Sequence, residues 1–323
     1  MHKYCKIFLI VLIIISLIEV VKMVLGGFIM LEKREFGNTG IKVFPLGFGA
    51  GHIGGPDQSE KEIDFLLNSL LDLGVNLIDT ARGYNLSEER IGKFLSNRRS
   101  EIILSTKVGY GIEGYQDWTY DIILAGIENA MRLMKTDYID IVHLHSCSLD
   151  ILKRGEVIQA LLKAKEQGKI RCAAYSGENE ELKYAVESDV FDSIECSVNI
   201  CDQRSLENQL MIAKEKNMGV IAKRPIANAP WRYKERPVGE YVEAYWDRLK
   251  QMNLDLKDIS VQEAALRFIG FETNVDSFII GTSNLVHIKE NLNILEEGPL
   301  LKEITKYIKD KFKESDTNWI GQI

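Results

Sequence analysis

The sequence has no Cys-x-x-Cys pair. Its five cysteines, Cys5, Cys147, Cys172, Cys196 and Cys201, are scattered. That excludes a disulfide framework and fits a reducing compartment. Histidine is equally scarce, with only His2, His52, His143, His145 and His287. No carboxylate–histidine grouping is visible around His143 and His145, so no metal is expected. No strongly basic run occurs, and 40 basic against 47 acidic residues give a formal charge of −7. Nucleic acid is therefore not expected as a partner. Linkers, low-complexity tracts and repeats longer than one βα unit are also missing. So is an apolar run of the ~20 residues that a membrane-spanning helix needs.

The longest such run, 7–18, follows Lys3 and Lys6 and has only 12 residues. It resembles the apolar core of a signal peptide, but no small-x-small cleavage site follows. Residues 1–29 are open to three readings: a membrane anchor, an export signal, or a non-native extension ahead of a domain that starts at Met30. Membrane association could come only through this segment. The expected organisation is an extension, 1–29, and one domain, 30–323, in the cytoplasm, with membrane anchoring as the alternative.

What is present from Met30 onward is an alternation of short β-branched runs and amphipathic helical stretches. Gly37-Asn38-Thr39-Gly40 marks a hairpin between 34–36 and 42–44. Ser59 and Glu62 form a capping box for a helix whose apolar face is Ile63, Leu66, Leu67, Leu70 and Leu71. Single helices are expected over 120–134 and 151–167, an irregular loop over 224–237, and an added C-terminal helix over 299–313. Eight βα units in some 290 residues predict an α/β fold, a (β/α)8 barrel with an N-terminal hairpin. The 46% hydrophobic content supplies the core.

In such a barrel the C-terminal ends of the strands form the active rim. Asp79 ends the second barrel strand and Tyr84 follows on its loop. Lys107 ends the third strand and His145 the fourth. A tyrosine hydroxyl ordinarily has a pKa of ~10. A nearby ammonium favours the phenolate, and a carboxylate keeps that ammonium charged and in place. His145 can donate to a carbonyl oxygen. Together these residues form an acid for carbonyl reduction, or a base for alcohol oxidation. No side chain supplies a hydride, so a nicotinamide cofactor is implied. A competing signal, Gly49-Ala50-Gly51-His52-Ile53-Gly54, matches the dinucleotide fingerprint G-x-G-x-x-G. Its context fails, because Gly55, Pro56, Asp57 and Gln58 separate it from the capped helix.

These motifs identify a resemblance. Ile78-Asp79-Thr80-Ala81-Arg82-Gly83-Tyr84, Ser105-Thr106-Lys107, the string 137–145, and Ile280-Gly281-Thr282-Ser283 with His287, Glu290 and Asn291 resemble the aldo-keto reductases, over 30–295. The resemblance implies a catalytic tetrad of Asp79, Tyr84, Lys107 and His145. It implies cofactor contacts at Ala50, Asp79, Ser176, Glu195, Lys223, Arg224, Ile226, Gly281, Thr282, Ser283, His287 and Asn291. NADPH is the expected cofactor, with NADH as the alternative, and a small carbonyl compound or sugar is the expected substrate. Three positions depart from the family pattern. Gly177 replaces an asparagine, Glu195 a glutamine, and Lys223 stands where an aromatic residue often stacks on the nicotinamide. A non-enzymatic cofactor-binding regulatory module of the same fold is the alternative function.

Overall fold

The structure is a computed structural model and describes residues 29–323. The expectations for the apolar run at 7–18 lie outside the described residues. Among the described residues no helix is long and apolar enough to cross a membrane.

Strands β1 (Arg34–Glu35) and β2 (Lys42–Val43) pair antiparallel, as the glycine-flanked turn predicts. Gly37 has φ +51°, and a Cβ there would strike the backbone of Asn217 to Gly219. Only glycine lets the hairpin press this closely on the barrel. Eight parallel strands follow: β3 (Leu46–Gly49), β4 (Leu77–Asp79), β5 (Ile103–Val108), β6 (Ile139–His145), β7 (Ile170–Ser176), β8 (Ser193–Ser197), β9 (Gly219–Lys223) and β10 (Ser277–Ile280). β10 pairs with both β9 and β3 and closes the barrel.

Helices pack their apolar stripes on the outer face of the strands. In Glu60–Asp72 the five predicted side chains are the buried ones, and Ser59 Oγ accepts from the Glu62 amide at 3.4 Å. Two expectations need correction. The stretch 151–167 is not one helix but two, Leu149–Arg154 and Glu156–Glu166, divided at Gly155 with φ +79°. Glycine reaches this left-handed conformation without a Cβ penalty and so ends the first helix, although the apolar period runs through it. The loop after β9 contains a short turn at Pro230–Arg232 and leads into an unexpected helix, Glu243–Met252, before Val261–Phe271. The added C-terminal helix is Lys302–Ser315.

Inside the barrel, side chains stack in layers because every second strand residue points inward. The lower layers are apolar: Leu77, Ile141, Cys172, Ala174 and Ile221, closed from below by Phe36, Ile41 and Val43 of the hairpin. The upper layer is polar, and it carries the candidate site.

Candidate active site

The same alternation that puts Leu77, Ile141 and Ala174 in the floor puts Asp79, His143 and Ser176 two residues further up. Strand register aligns them: Asp79 with Ser105, Lys107 with His143, His145 with Ser176, and Ser176 with Glu195. Lys107 Nζ lies 2.5 Å from Asp79 Oδ2 and donates to the Thr80 carbonyl at 3.0 Å. It lies 3.4 Å from Glu195 Oε2. Ser105 Oγ donates to Asp79 Oδ1 at 2.7 Å and is 3.1 Å from His143 Nε2. Ser176 Oγ donates to Glu195 Oε1 at 3.2 Å. Asp79, Lys107, His143 and Glu195 are all buried.

Two carboxyl groups therefore share one ammonium out of contact with water. Burial pulls the Lys107 pKa down, but Asp79 and Glu195 together outweigh it and hold the ammonium charged. Burial, with Glu195 beside it, pushes Asp79 up to about 7 against the pull of Lys107. Burial also acts to raise Glu195, but Lys107 and the nearby basic groups outweigh it and hold it well below the usual carboxylate range. The two acids titrate as a unit, in which the first proton binds far more readily than the second.

Tyr84 turns back on the rim, its amide bonded to the Ala81 carbonyl at 3.0 Å. Lys107 Nζ is 5.8 Å from the centroid of its ring. The lysine is the largest single influence on the phenol and lowers its pKa, as expected. The net direction is nevertheless upward, because burial, Asp79, Glu195 and Tyr110 act together against it. His145 is half-buried, and burial followed by Lys107 drives its pKa down to about 3, so the imidazole is neutral at pH 7. Its Nδ1 lies 2.8 Å from the Tyr110 hydroxyl, with the two rings stacked at 5.5 Å. With Tyr110 donating, the ring proton sits on Nε2. Burial likewise holds His143 near 4.

A cavity of about 690 Å³ opens above this layer. It brings together Asp79, Tyr84, Glu195, Lys223, Arg224, Ile226 and Gly281 from the predicted set, along with Gly49, Gly51, His52 and Tyr241. Ala50 is buried beside it, its carbonyl bonded to Ser87 Oγ at 2.9 Å. Thr282, Ser283, His287 and Asn291 belong to the turn before helix Leu285–Glu296 and to that helix. Thr282 Oγ1 accepts from the Asn284 amide at 3.0 Å and lies 3.0 Å from His287 Nδ1. Asn291 is buried and accepts from Gln262 at 3.0 Å. Lys223 and Arg224 both face Glu178 Oε1, at 3.2 and 3.4 Å. Arg224 also donates to Ser197 Oγ and to the Gln322 carbonyl.

The expectation that no acid clusters with the barrel histidines is overturned. Asp79, His143 and Glu195 offer atoms all within 4.8 Å of one another. The Lys107 ammonium already stands among them as the cation, so the grouping is accounted for by charge pairing. Sequence reading missed Glu178, Tyr110 and His52. Tyr110 lies three residues past Lys107 on the same rim and was within reach. Glu178 carries no local signal, since its partners lie 19 to 46 residues away.

The polar end of the cavity suits a nicotinamide. Glu195 Oε2 is buried with no hydrogen-bond donor on it, although the Lys107 ammonium stands 3.4 Å away, an arrangement that costs free energy until a donor arrives.

Comparison with known proteins agrees with this geometry. A family model described as the aldo/keto reductase family matches residues 45–313. An uncharacterized oxidoreductase of Bacillus subtilis (strain 168) is 28% identical over 306 residues, covering 88% of this chain and 97% of that protein. L-galactose dehydrogenase of Arabidopsis thaliana is 27% identical over 290 residues, 83% of this chain and 89% of that one. The solved holo form of an aldo-keto reductase from Bacillus halodurans has a TM-score of 0.75 at 29% identity, covering 87% and 96% of the two chains. The match runs through all eight barrel strands, and the chain belongs to the aldo/keto reductase family.

Proposed function

We propose that this chain reversibly reduces an aldehyde or ketone to an alcohol with NADPH or NADH, and that Tyr84 donates the proton. Membership of the family supports nicotinamide-dependent carbonyl reduction in general. The observation that carries the finer reading is one rim on which a phenol, a buried ammonium–carboxylate pair and a neutral imidazole meet. A donor must be protonated at working pH, and the upward net shift of Tyr84 keeps it so. Lys107 stabilises the phenolate left after transfer. His145, with its proton on Nε2, can donate to the substrate oxygen and orient it. Asp79 fixes Lys107. A bound nicotinamide cofactor would supply the hydride. Ser176 and Glu195 would hold its amide. Arg224 and the amides at the start of helix Leu285–Glu296 would face its phosphates.

Arg or Lys normally meets a 2′-phosphate, and here Gly281 and His287 stand at those positions. Preference for NADPH over NADH is therefore expected to be about tenfold or less, about 1.4 kcal/mol. Turnover of a panel of aldehydes, ketones and sugars with each cofactor tests both points, and His287→Arg should raise the preference. Tight binding of cofactor without turnover of any carbonyl compound would favour the regulatory module instead.

We also take residues 30–323 as the whole working domain. Of the preceding segment only Ile29 is described, and it contributes one backbone bond, to Glu296 at 2.6 Å, and a contact at Gly298. A chain beginning at Met30 should melt cooperatively and keep the turnover of the full chain. Failure of the shortened chain to fold would show that the segment covers part of the barrel.

A further inference from the structure

We propose that Glu195 makes this pocket discriminate by redox state, binding the oxidised nicotinamide, whose ring is cationic, more tightly than the reduced one. The inference rests on the cofactor reading above and deepens it. Two groups of charged side chains meet at the polar end of the cavity: Asp79, Lys107 and Glu195 inside, and Lys223, Arg224 and Glu178 at the outer edge. Asp79 and Lys107 form the closest pair, at 2.5 Å. Lys223, at the outer edge, is turned to Glu178 at 3.2 Å. Glu195 is left as the acid without a full partner: Lys107 stands 3.4 Å away, already committed to Asp79, and Oε2 accepts no hydrogen bond although the side chain is 1% exposed. The imidazoles of His143 and His145 add no compensating positive charge at pH 7. Once Asp79 is ionised, above about pH 7, the buried inner group has two acids on one ammonium and so one negative charge in excess, while Lys223 and Arg224 on Glu178 carry the balancing positive charge at the outer edge.

The ring must come close to it. Proton and hydride go to the two ends of one carbonyl bond, so the hydride donor must lie beside the group that Tyr84 protonates. Tyr84, Asp79 and Glu195 line the same cavity. Discrimination between two ligands depends only on where they differ. Oxidised and reduced cofactors share their phosphates, riboses and adenine, and they differ by one positive charge on the ring. Contacts at Arg224 or at the last barrel helix therefore cancel, and Glu195 does not. A glutamine here would offer the same shape with no charge, so the discrimination is specific to this chain's glutamate. A buried unit charge several ångströms from the ring, at an effective dielectric of about 20, favours the cation by at least about tenfold. For a two-electron couple a tenfold ratio lowers the midpoint potential of the bound cofactor by about 30 mV.

Equilibrium titration of the full chain at pH 8, where Asp79 is ionised, with NADP⁺, NADPH, NAD⁺ and NADH, followed by calorimetry, tests this without turnover. The unaltered protein should bind each oxidised form at least about tenfold more tightly than its reduced partner. Glu195→Gln, which removes the charge at constant shape, should abolish or reverse that ratio. Ser176→Ala removes the hydrogen bond to Glu195 Oε1 but keeps the charge, and should leave the oxidised form preferred. Equal or tighter binding of the reduced forms by the unaltered protein overturns the inference, whether or not the glutamine variant folds. An unchanged ratio in a folded Glu195→Gln protein overturns it too. If none of the four nucleotides binds, the cofactor reading itself has failed.

Discussion

Tyr84→Phe should lower turnover by about 100-fold or more, the usual scale for losing a positioned acid, with cofactor affinity retained. The substitution keeps the ring that lines the cavity and removes only the hydroxyl. The lysine–carboxylate cluster beneath is untouched, since no hydrogen bond from Tyr84 to Lys107 or Asp79 supports it, and Lys107 Nζ lies 5.8 Å from the ring centroid. The loss should therefore appear in kcat and not in nucleotide titrations. Near-normal turnover in the variant would mean that another group delivers the proton, and the neutral His145 would be the next to test.

Lys107→Met should destabilise the fold by about 3–5 kcal/mol, the scale for stripping the partner from a buried charge. Asp79 and Glu195 would then face one another in the barrel with no cation between them. One of them would have to bind a proton, so its folded pKa would rise above the unfolded value of ~4. A group raised in the folded state contributes stability below its unfolded pKa and loses it as pH rises through the folded one. The variant should therefore be most stable near pH 4 and weaken toward pH 8. Adding Asp79→Asn should restore much of the loss, and urea titrations of the single and double variants at both pH values would show it. A pH-independent stability in the single variant would contradict the shared-ammonium account. Any residual activity should have its basic limb shifted upward, because the one influence that lowers the Tyr84 pKa is gone.

The sign of that Tyr84 shift marks where sequence reading stops. Residues at strand ends were legible because the two-residue period is strict and each strand end is punctuated. That is how Asp79, Lys107 and His145 could be assigned to one rim before any coordinates. The net pKa was not legible, since it is a sum of opposing influences that depends on distance. Glu195 was visible as an oddity, but not as the second acid on Lys107, because the two meet only when β5 and β8 face each other across the barrel. Asp140 is a further case. It lies in the string that ends in His145, yet it is buried at the opposite end of β6, bonded to Arg99 at 2.7 Å, Arg171 at 2.8 Å and the Leu104 amide at 2.9 Å. Part of that string thus clamps the barrel and takes no part in the rim. Gly155 and the helix Glu243–Met252 escaped because helix ends are set by capping geometry and tertiary packing as much as by period.

The hairpin that closes the lower end makes the barrel a stoppered vessel. Phe36, Ile41 and Val43 pack on Leu77, Ile141 and Ile221, so the polar layer has no rear door for water. A ligand seated in the mouth then dries the chamber from the one side that is open. Every charge in it acts more strongly as the last solvent leaves. A barrel open at both ends would refill from below and dilute the same charges.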